Sequence, residues 1–339
     1  MYFKNKEHVM QITSCFWDRL ADGRHAHLFT IRNQAGSSVT ISDFGGIITS
    51  LFIPDSSGRL DDVVLGFDSL QGYLQDKAFL GAMVGRYANR IRNASFILND
   101  TQWMLEANER GNHLHGGTAG FHKQLWEASI QEDGLLLHYR SPHLESGFPG
   151  TLDTSILYSL TEDNCLRLDI SAVSDRDTVC CITNHSYFNL TGSGSIRNHQ
   201  FQICAQQHTP FGPDLLPMGN LQPVAGTDLD YRSPRPLTRD NLDANFALDP
   251  DRDFSAAVFD PVSGRKMILR SDLPGLQFYA AGALRAEGGK HGRTYSPCDG
   301  FCLEPQHFPD SPNLPHFPSA VLRAGNVYHH VFEYQFLAE

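Results

Sequence analysis

The sequence predicts an all-β protein: a large antiparallel β-sandwich with few short helices. Apolar and polar residues alternate in short segments, which is the periodicity of strands. The 29 glycines and 18 prolines are spread along the chain as turn residues and do not gather in a linker. No strand–helix alternation, repeat or composition shift divides the chain, so we expect residues 1–339 to form a single domain.

Individual segments support this prediction. Residues 28–41 alternate, turn at 33–36 and alternate again, and residues 95–105 form a hairpin that turns at Asn99 and Asp100. Residues 166–173 alternate cleanly, and residues 257–269 are two strands joined by a turn at 260–264. Helical patterns are short, and residues 68–75 are the best helix candidate.

Composition limits the classes of function. With 41% apolar and 19% charged residues, the chain is long enough and apolar enough to fold around a large core. The net charge of −11 and the lack of a basic block make nucleic acid and anionic membranes poor partners, so a neutral ligand fits better. No apolar run approaches 18 residues and the start does not resemble a signal peptide, so we expect a cytoplasmic protein.

The seven cysteines are odd in number and show no C-x-x-C spacing, so we expect reduced thiols and neither a zinc site nor a disulfide framework. Cys180 and Cys181 are adjacent and would point to opposite faces of a strand. No glycine-rich phosphate loop follows a strand, which argues against a nucleotide cofactor.

Two segments carry the strongest chemical signal. Residues 183–190, TNHSYFNL, hold His185, and alternation places Tyr187 on the same side. Residues 300–306, GFCLEPQ, hold Glu304 among apolar neighbours, where burial would raise the pKa of its carboxyl toward the value that a general base needs. Taken singly, His185 could be a core histidine and Glu304 half of a structural ion pair. Together they would form an acid–base pair.

Two arginines and two histidines are further candidates. Arg86 and Arg90 would share a face if extended; the segment alone favours surface charge, and the alternative is that Arg90 donates hydrogen bonds to ligand hydroxyls. His113 and His115 have the i, i+2 spacing of a metal pair, but no third ligand is evident. His115, followed by two glycines, fits better in a site where the backbone needs room, although a structural or solvated loop histidine remains an alternative.

Asp243, which lies between charged stretches, and Gln277 are two more polar candidates. Asp243 is locally most consistent with a turn or cap carboxylate. Gln277 lies inside an apolar strand and must find a hydrogen-bond partner there.

Over nearly the whole chain these segments resemble the galactose mutarotase (aldose 1-epimerase) family. Each motif is modestly specific, but their number and order are highly specific. The segments that carry the resemblance are residues 44–51, 62–67, 85–91, 113–117, 120–127, 183–190, 223–227, 275–279, 300–313 and 317–325.

The resemblance implies a galactose mutarotase-like β-sandwich that needs no cofactor or metal and interconverts the α- and β-anomers of free aldoses such as galactose and glucose. It makes Glu304 the general base, His185 the general acid and His115 a second histidine near the ring oxygen. It further implies a small-molecule sugar as partner and a monomer or homodimer. The remaining matched positions hold sugar hydroxyls or, for the tyrosine, form a wall: Asn89, Arg90, Asp243, Gln277 and Tyr187.

Three other functions are possible on this fold. A hexose-phosphate mutarotase would need extra cationic residues, for which Arg86 is available. A non-catalytic sugar-binding protein would be expected to have lost Glu304 or His185, and both are present. A glycoside hydrolase would need Asp243 to oppose Glu304 as a second carboxylate.

The chain also departs from the family pattern at three places. The run 178–182 before the histidine reads Thr-Val-Cys-Cys-Ile, with Cys180 and Cys181, where the family usually has a proline and an asparagine. Residues 280–282 read Ala-Ala-Gly in place of Thr-Gly-Asn, and His122 replaces a common acidic residue. None of these changes removes a catalytic position. They put the sugar preference in doubt, because they could lie beside the pocket.

Overall fold

The fold is built almost entirely from strands, and the computed structural model describes residues 11–339. These residues form 26 strands, which in chain order are β1 (Gln11–Arg19), β2 (His25–Arg32), β3 (Ser38–Ser42), β4 (Ile48–Pro54), β5 (Leu60–Asp62), β6 (Met83–Val84), β7 (Arg90–Ile91), β8 (Ser95–Leu98), β9 (Thr101–Met104), β10 (His113–Leu114), β11 (Glu127–Gln131), β12 (Gly134–Ser141), β13 (Leu152–Leu160), β14 (Cys165–Ser174), β15 (Thr178–Val179), β16 (Thr183–Asn184), β17 (Gln200–Ile203), β18 (Gln207–Thr209), β19 (Gln222–Pro223), β20 (Asp243–Ala247), β21 (Ala256–Phe259), β22 (Arg265–Ser271), β23 (Gly275–Tyr279), β24 (Cys302–Gln306), β25 (Val321–Leu322) and β26 (Val327–Ala338).

The predicted helix at residues 68–75 is confirmed as α1 (Leu70–Gln75). Its start is fixed by Ser69, whose hydroxyl accepts a hydrogen bond from the backbone N–H of Gly72 at 3.3 Å. The other helical segments are single 3₁₀ turns: Arg92–Ala94, Phe121–Lys123, Glu145–Gly147, Ile196–Asn198, Lys290–Gly292 and Ser311–Asn313. In residues 11–339, no helix is both long enough and apolar enough to cross a membrane.

The predicted hairpins are also confirmed. β8 and β9 pair with Leu98 opposite Thr101, so the turn consists of two residues. Both of them, Asn99 and Asp100, have positive φ (51° and 58°), which is the backbone of the turn that best matches the twist of paired strands. β2 pairs with β3, and β21 with β22, across the other predicted turns.

Three antiparallel sheets make up most of the structure. The N-terminal sheet has the order β1-β2-β3-β4-β5, and the long sheet has the order β11-β12-β13-β14-β26-β22-β21-β17. A third sheet, the site sheet, has the order β19-β18-β20-β23-β24. Because all neighbours in the N-terminal sheet are consecutive in the chain, its pairing follows from local hairpins. The long sheet instead needs the C-terminal β26 between β14 and β22.

One hydrophobic core is shared by the inner faces of all three sheets. In β14, Leu166, Leu168 and Ile170 are fully buried and alternate with polar residues that face outward. Burying each such side chain contributes about 1.5–3 kcal/mol. Apolar residues of the N-terminal sheet, such as Ile31, and of the site sheet, such as Phe278, join the same cluster. The predicted all-β sandwich is therefore the observed architecture.

The seven cysteines are free thiols in the structure. Cys180 packs into the main core, whereas Cys181 packs into a separate cluster with Tyr87, Ile91 and Phe148. The two side chains therefore point in different directions, as the sequence predicted.

Candidate active site

A cavity of about 380 Å³ opens beside the site sheet. Its lining combines loops from the first half of the chain with strands from the second half. All eight residues that the sequence selected lie in this lining: Asn89, Arg90, His115, His185, Tyr187, Asp243, Gln277 and Glu304.

The site sheet supplies the cavity's carboxylates and amide by strict alternation. Gln277 on β23 is directly opposite Glu304 on β24, and directly opposed residues of antiparallel strands share a face. Asp243 is the first residue of β20 and pairs with Tyr279, which lies two residues after Gln277 on β23. Asp243, Tyr279 and Gln277 therefore share one face of the sheet. The other face of these strands packs into the main core through Ala244, Phe246, Leu276, Phe278 and Leu303. The period of two therefore sorts this sheet into a polar site face and an apolar core face.

Glu304 is a buried carboxyl group with unused hydrogen-bonding capacity. Its residue is 2% exposed, and its Oε2 atom has no hydrogen-bond partner. Burial raises the pKa of Glu304 well above its ordinary value; the nearby Asp243 raises it further, and Arg90 lowers it. Burial and the charge of Asp243 both oppose ionisation of Glu304, so this carboxyl group holds its proton far more tightly than an exposed one.

His185 faces Glu304. Its Nε2 lies 3.7 Å from Oε1 of Glu304, and its Nδ1 lies 3.6 Å from the thiol of Cys302. Burial lowers the pKa of His185 to about 4, although its backbone acts in the opposite direction. Burial also raises the pKa of Cys302, so its sulfur remains a thiol, which can donate to Nδ1 or accept from it according to which ring nitrogen carries the proton. The imidazole is thus neutral at pH 7, and Nε2 is the nitrogen that faces the carboxyl group.

Asp243 and Gln277 form a hydrogen-bonded pair in the wall. The Nε2 group of Gln277 donates to Oδ1 of Asp243 at 2.5 Å, and Oε1 of Gln277 has no partner. Burial raises the pKa of Asp243, while Gln277 and Arg90 lower it. The local interpretation of Asp243 as a turn or cap carboxylate is wrong, because it begins a strand and faces the cavity.

His115 is held by reciprocal backbone contacts with Asn89. Its N–H donates to the carbonyl of Asn89 at 3.1 Å, and its Nδ1 accepts from the N–H of Asn89 at 3.2 Å. Nδ1 is therefore the acceptor nitrogen, and the ring proton lies on Nε2. The prediction that the backbone needs room here is confirmed: a Cβ on Gly116 would lie 1.7 Å from the carbonyl oxygen of Gly85.

Arg90 and Arg86 do not share an environment. Arg90 lines the cavity, and its Nε donates to Glu109 at 3.2 Å. Arg86 is 2% exposed, and its guanidinium donates to Ser141 and to the carbonyls of residues 141, 142, 149 and 150. The interpretation of this pair as surface charge is wrong for Arg86, because a guanidinium can be buried when its donors are all satisfied. Arg86 is consequently not available to bind a phosphate.

The two histidines at i, i+2 also separate. His113 is fully buried, its Nδ1 lies 2.8 Å from the carbonyl of Glu106, and its ring packs against Phe148. The expected shared face is wrong, because β10 ends at Leu114 and His115 takes a positive φ of 52°.

A different trio has the donor set of a metal site. One donor atom from each of His115, His185 and Glu304 lies within 4.8 Å of the others. The Nδ1 of His115 is engaged by Asn89, so its Nε2 carries a proton and has no lone pair for a cation. The trio therefore fits proton chemistry better than metal ligation.

The sequence did not point to several lining residues. Tyr279 lies two residues after Gln277 on the same face of β23, so strand alternation could have identified it. Phe79 and Leu215 reach the cavity from loops and both have positive φ, for which periodicity gives no signal. The complete set that was missed comprises Asp76, Lys77, Ala78, Phe79, Leu114, Leu215, Tyr279, Ala283, Leu284 and Arg285.

The departures from the family pattern lie outside the cavity lining. His122 is buried against Phe79, with ring centroids 4.6 Å apart, and does not line the cavity. Residues 280–282 follow Tyr279, and a Cβ on Gly282 would lie 2.5 Å from the carbonyl oxygen of Asp240. These positions therefore act on the cavity only through the residues that they support.

Comparison with known proteins agrees with this geometry. A family profile described as "Aldose 1-epimerase" matches residues 27–335. A galactose mutarotase of Mus musculus is 39% identical over 88% of this chain and 91% of its own, and an aldose 1-epimerase of Escherichia coli K12 is 35% identical over 94% and 97%. The crystal structure of a GalM/aldose epimerase homologue from C. elegans superimposes with a TM-score of 0.87 at 27% identity, covering 96% of this chain and 99% of that one.

Proposed function

The chain belongs to the aldose 1-epimerase family, and from that premise we propose that it interconverts the α- and β-anomers of free aldoses such as galactose and glucose. The observation that carries the proposal is the buried pair of Glu304 and His185, 3.7 Å apart, in a cavity of the size typical of small-molecule sites. The profile match over residues 27–335 supports a single catalytic domain that spans the chain.

The proposed reaction moves two protons and no electrons. Glu304 takes the proton of the anomeric hydroxyl while His185 delivers a proton to the ring oxygen. The bond between the anomeric carbon and the ring oxygen breaks, and a carbonyl forms at the anomeric carbon. Rotation about the bond to the neighbouring carbon exposes the other carbonyl face, and reclosure with the two roles reversed gives the opposite anomer. Each positioned proton transfer contributes about 10²–10⁴-fold to the rate.

The pair needs one proton to work. Burial favours the neutral form of both groups, which leaves the proton on Glu304 and His185 unprotonated. Moving that proton from Glu304 to His185 produces the carboxylate and imidazolium that the first step requires. Arg90 favours the carboxylate, and a hydrogen bond donated by the anomeric hydroxyl favours it further.

The remaining lining residues are proposed to hold the sugar. The unpartnered Oε1 of Gln277 is available to accept from one hydroxyl, and Arg90 and Asn89 are available to donate to others. His115, with its proton on Nε2, is proposed to donate near the ring oxygen. The hydroxyl of Tyr187 donates to the carbonyl of Ala78, so its ring is proposed to serve as an apolar wall. Hydrogen bonds between the sugar hydroxyls and these groups are expected to be favourable, because a buried polar group without a hydrogen-bond partner is costly.

The test is polarimetry on freshly dissolved α-galactose and α-glucose with the wild type and Glu304→Gln. We expect the wild type to accelerate the decay of optical rotation and the variant to lose about 10²–10⁴-fold of that activity. Glu333→Gln is the matched control, because Glu333 lies on β26 with Arg167 as its partner and does not line the cavity. The control is expected to match the wild type.

Two results would contradict the proposal at different points. A wild type no faster than buffer on either sugar would reject free hexoses as substrates. A fully active Glu304→Gln would leave the activity standing and reject Glu304 as the base.

A further inference from the structure

Phe79 occupies an unusual backbone conformation beside the proposed proton pair. Its φ is +60°, a region that bulky residues rarely adopt because their Cβ meets the following carbonyl. Such strain persists only where the surrounding structure holds it in place. Phe79 also lines the cavity.

Hydrogen bonds on both sides of Phe79 hold this conformation. The carboxylate of Asp76 accepts from the N–H groups of Ala78 (2.8 Å) and Leu80 (2.7 Å), and so brackets Phe79. The carbonyl of Phe79 accepts from the N–H of Ala82 at 3.1 Å. The conformation is therefore fixed by contacts outside the phenyl ring.

The same segment is joined directly to His185. The N–H of Gly81 donates to the carbonyl of His185 at 3.1 Å, and the N–H of His185 donates to the carbonyl of Ala82 at 2.9 Å. The hydroxyl of Tyr187 donates to the carbonyl of Ala78 at 2.9 Å. The loop that carries Phe79 and the segment that carries His185 thus form one connected unit.

The ring of Phe79 contacts three histidines. Its centroid lies 4.7 Å from that of His115, 4.6 Å from that of His122 and 5.8 Å from that of His185. Tyr187 covers His185 with a centroid separation of 5.1 Å and a plane angle of 31°, and Phe79 meets the same imidazole at 30°. His115 and His185 meet each other edge to face at 5.3 Å.

We propose that Phe79 is a positioning residue: its ring fixes the relative orientation of the His115 and His185 imidazoles and keeps water from the space between them. This inference rests on the proposed function, since it assigns Phe79 to the support of that reaction. Phe79 acts through the histidines and takes no proton itself. The strained backbone, held by Asp76 and by the N–H of Ala82, keeps the ring against them.

The ring also contributes to the dry surroundings of the histidines. Burial lowers the pKa of His185 to about 4 and that of His115 well below its ordinary value. Replacing the phenyl ring by a small side chain would admit water and raise both pKa values toward 6.5. The titratable groups that contact His185 are Glu304, Cys302 and Tyr187, and those whose charge acts on His115 also include Arg90, His113 and His122.

The test compares Phe79→Ala, Phe79→Gly and Phe79→Tyr with the wild type. We expect the alanine and glycine variants to lose about 10- to 100-fold in kcat with a smaller change in KM, because misplaced catalytic groups cost rate more than binding. The acid limb of their kcat/KM profile is expected to move upward by about one pH unit. Phe79→Tyr keeps the ring and is expected to keep most of the activity and the wild-type profile.

Stability provides an independent check. Glycine tolerates positive φ, so Phe79→Gly is expected to unfold about 1–3 °C above Phe79→Ala while being no more active. Phe148→Leu is the matched control, because Phe148 packs against the buried His113 outside the cavity. It is expected to lower stability and leave the pH profile unchanged.

Four results would overturn the proposal. Phe79→Ala could match the wild type in kcat and pH profile, or lose activity only in proportion to its unfolded fraction. Alternatively, Phe148→Leu could shift the profile as much as Phe79→Ala does. NMR titration of the histidine rings separates this inference from the proposed function, because it reports the His115 and His185 pKa values even if the wild type proves inactive on free aldoses. Unchanged ring pKa values in Phe79→Ala would then reject the inference by themselves.

Discussion

The structure contains two buried histidine–carboxylate pairs that look alike in simple geometry. In the cavity, Nε2 of His185 lies 3.7 Å from Oε1 of Glu304. In the core, Nδ1 of His199 lies 3.7 Å from Oδ1 of Asp260. All four side chains are at most 6% exposed, and burial lowers the pKa of both histidines to about 4.

The two carboxylates differ in the hydrogen bonds that they accept. Asp260 accepts from the N–H of Ser263 (2.9 Å), from its hydroxyl (2.6 Å) and from the hydroxyl of Thr191 (3.0 Å). Burial acts to raise the pKa of Asp260, but the hydrogen bonds from Ser263, the nearby His199 and the N–H of Val262 outweigh it, so the pKa is lowered. Oε2 of Glu304 has no partner, and the pKa of Glu304 is raised.

The comparison shows that burial and separation alone do not mark a site. Asp260 accepts from Ser263 in its own turn and from the distant Thr191, and the Nε2 of His199 accepts from the N–H of Leu190, so this pair is structural. Glu304 keeps an unpartnered Oε2 and lines the cavity together with His185, whereas the unpartnered Nδ1 of His199 belongs to a residue outside the cavity lining. Unused polar capacity beside a cavity is what makes a buried pair available for chemistry.

The largest expected contrast is in activity between the two histidines. His185→Gln should lower kcat by about 10²–10⁴-fold, because it removes one positioned proton transfer. His199→Gln should leave the activity per folded molecule unchanged, because His199 does not line the cavity. Polarimetry on samples matched for folded protein by circular dichroism measures both. Equal losses in the two variants would erase the distinction between the pairs.

For stability we expect the opposite order: a substitution in the His199–Asp260 pair should destabilise the protein more than one in the His185–Glu304 pair. Asp260→Asn is expected to cost about 1–3 kcal/mol of unfolding free energy at pH 7, since it turns an amide donor toward groups that donate. Glu304→Gln should be neutral or stabilising by about 1 kcal/mol, because it removes a carboxyl group whose ionisation burial opposes. Urea unfolding measures both values. A Glu304→Gln variant as unstable as Asp260→Asn would make Glu304 a structural residue.

These differences should also change with pH in opposite ways. The lowered pKa of Asp260 means that its contribution is present above the unfolded value of 3.8 and is lost as pH falls through the folded pKa. The raised pKa of Glu304 means that its contribution is present below 4.5 and is lost as pH rises through the folded pKa. The deficit of Asp260→Asn should therefore shrink in acid, and any advantage of Glu304→Gln should grow with rising pH.

The smallest expected effect is on the shape of the activity profile. We predict a bell-shaped kcat/KM curve, because the pair works only while it holds one proton. A second proton enters as pH falls toward about 4, where His185 titrates, and the last proton leaves above the raised pKa of Glu304. The plateau should therefore be broad. A flat profile across roughly pH 5–8 together with no fall at either end would contradict the assignment.

Much of the fold could be predicted because its signals are local. The turn at Asn99 and Asp100 needs positive φ at both positions, and Asn and Asp tolerate that conformation better than most residues. The alternation in β14 places Leu166, Leu168 and Ile170 on one face whatever the strand packs against. The order of the long sheet could not be predicted in this way, because β26 pairs with strands from distant parts of the chain.

The site shows the same division. The sequence by itself determined the chemistry: a lone Glu304 in an apolar strand, His185 two residues before Tyr187, and a period of two that sorts the site sheet into polar and apolar faces. Only the tertiary structure decided that Arg86 is absorbed by backbone carbonyls while Arg90 reaches the cavity. Only the tertiary structure showed that Phe79 lines the cavity. Phe79 has a left-handed backbone held by Asp76, and hydrophobic periodicity in the sequence does not indicate such a conformation. Local patterns fix which face a side chain takes, but its partners are set by the packing of segments that are distant in the chain.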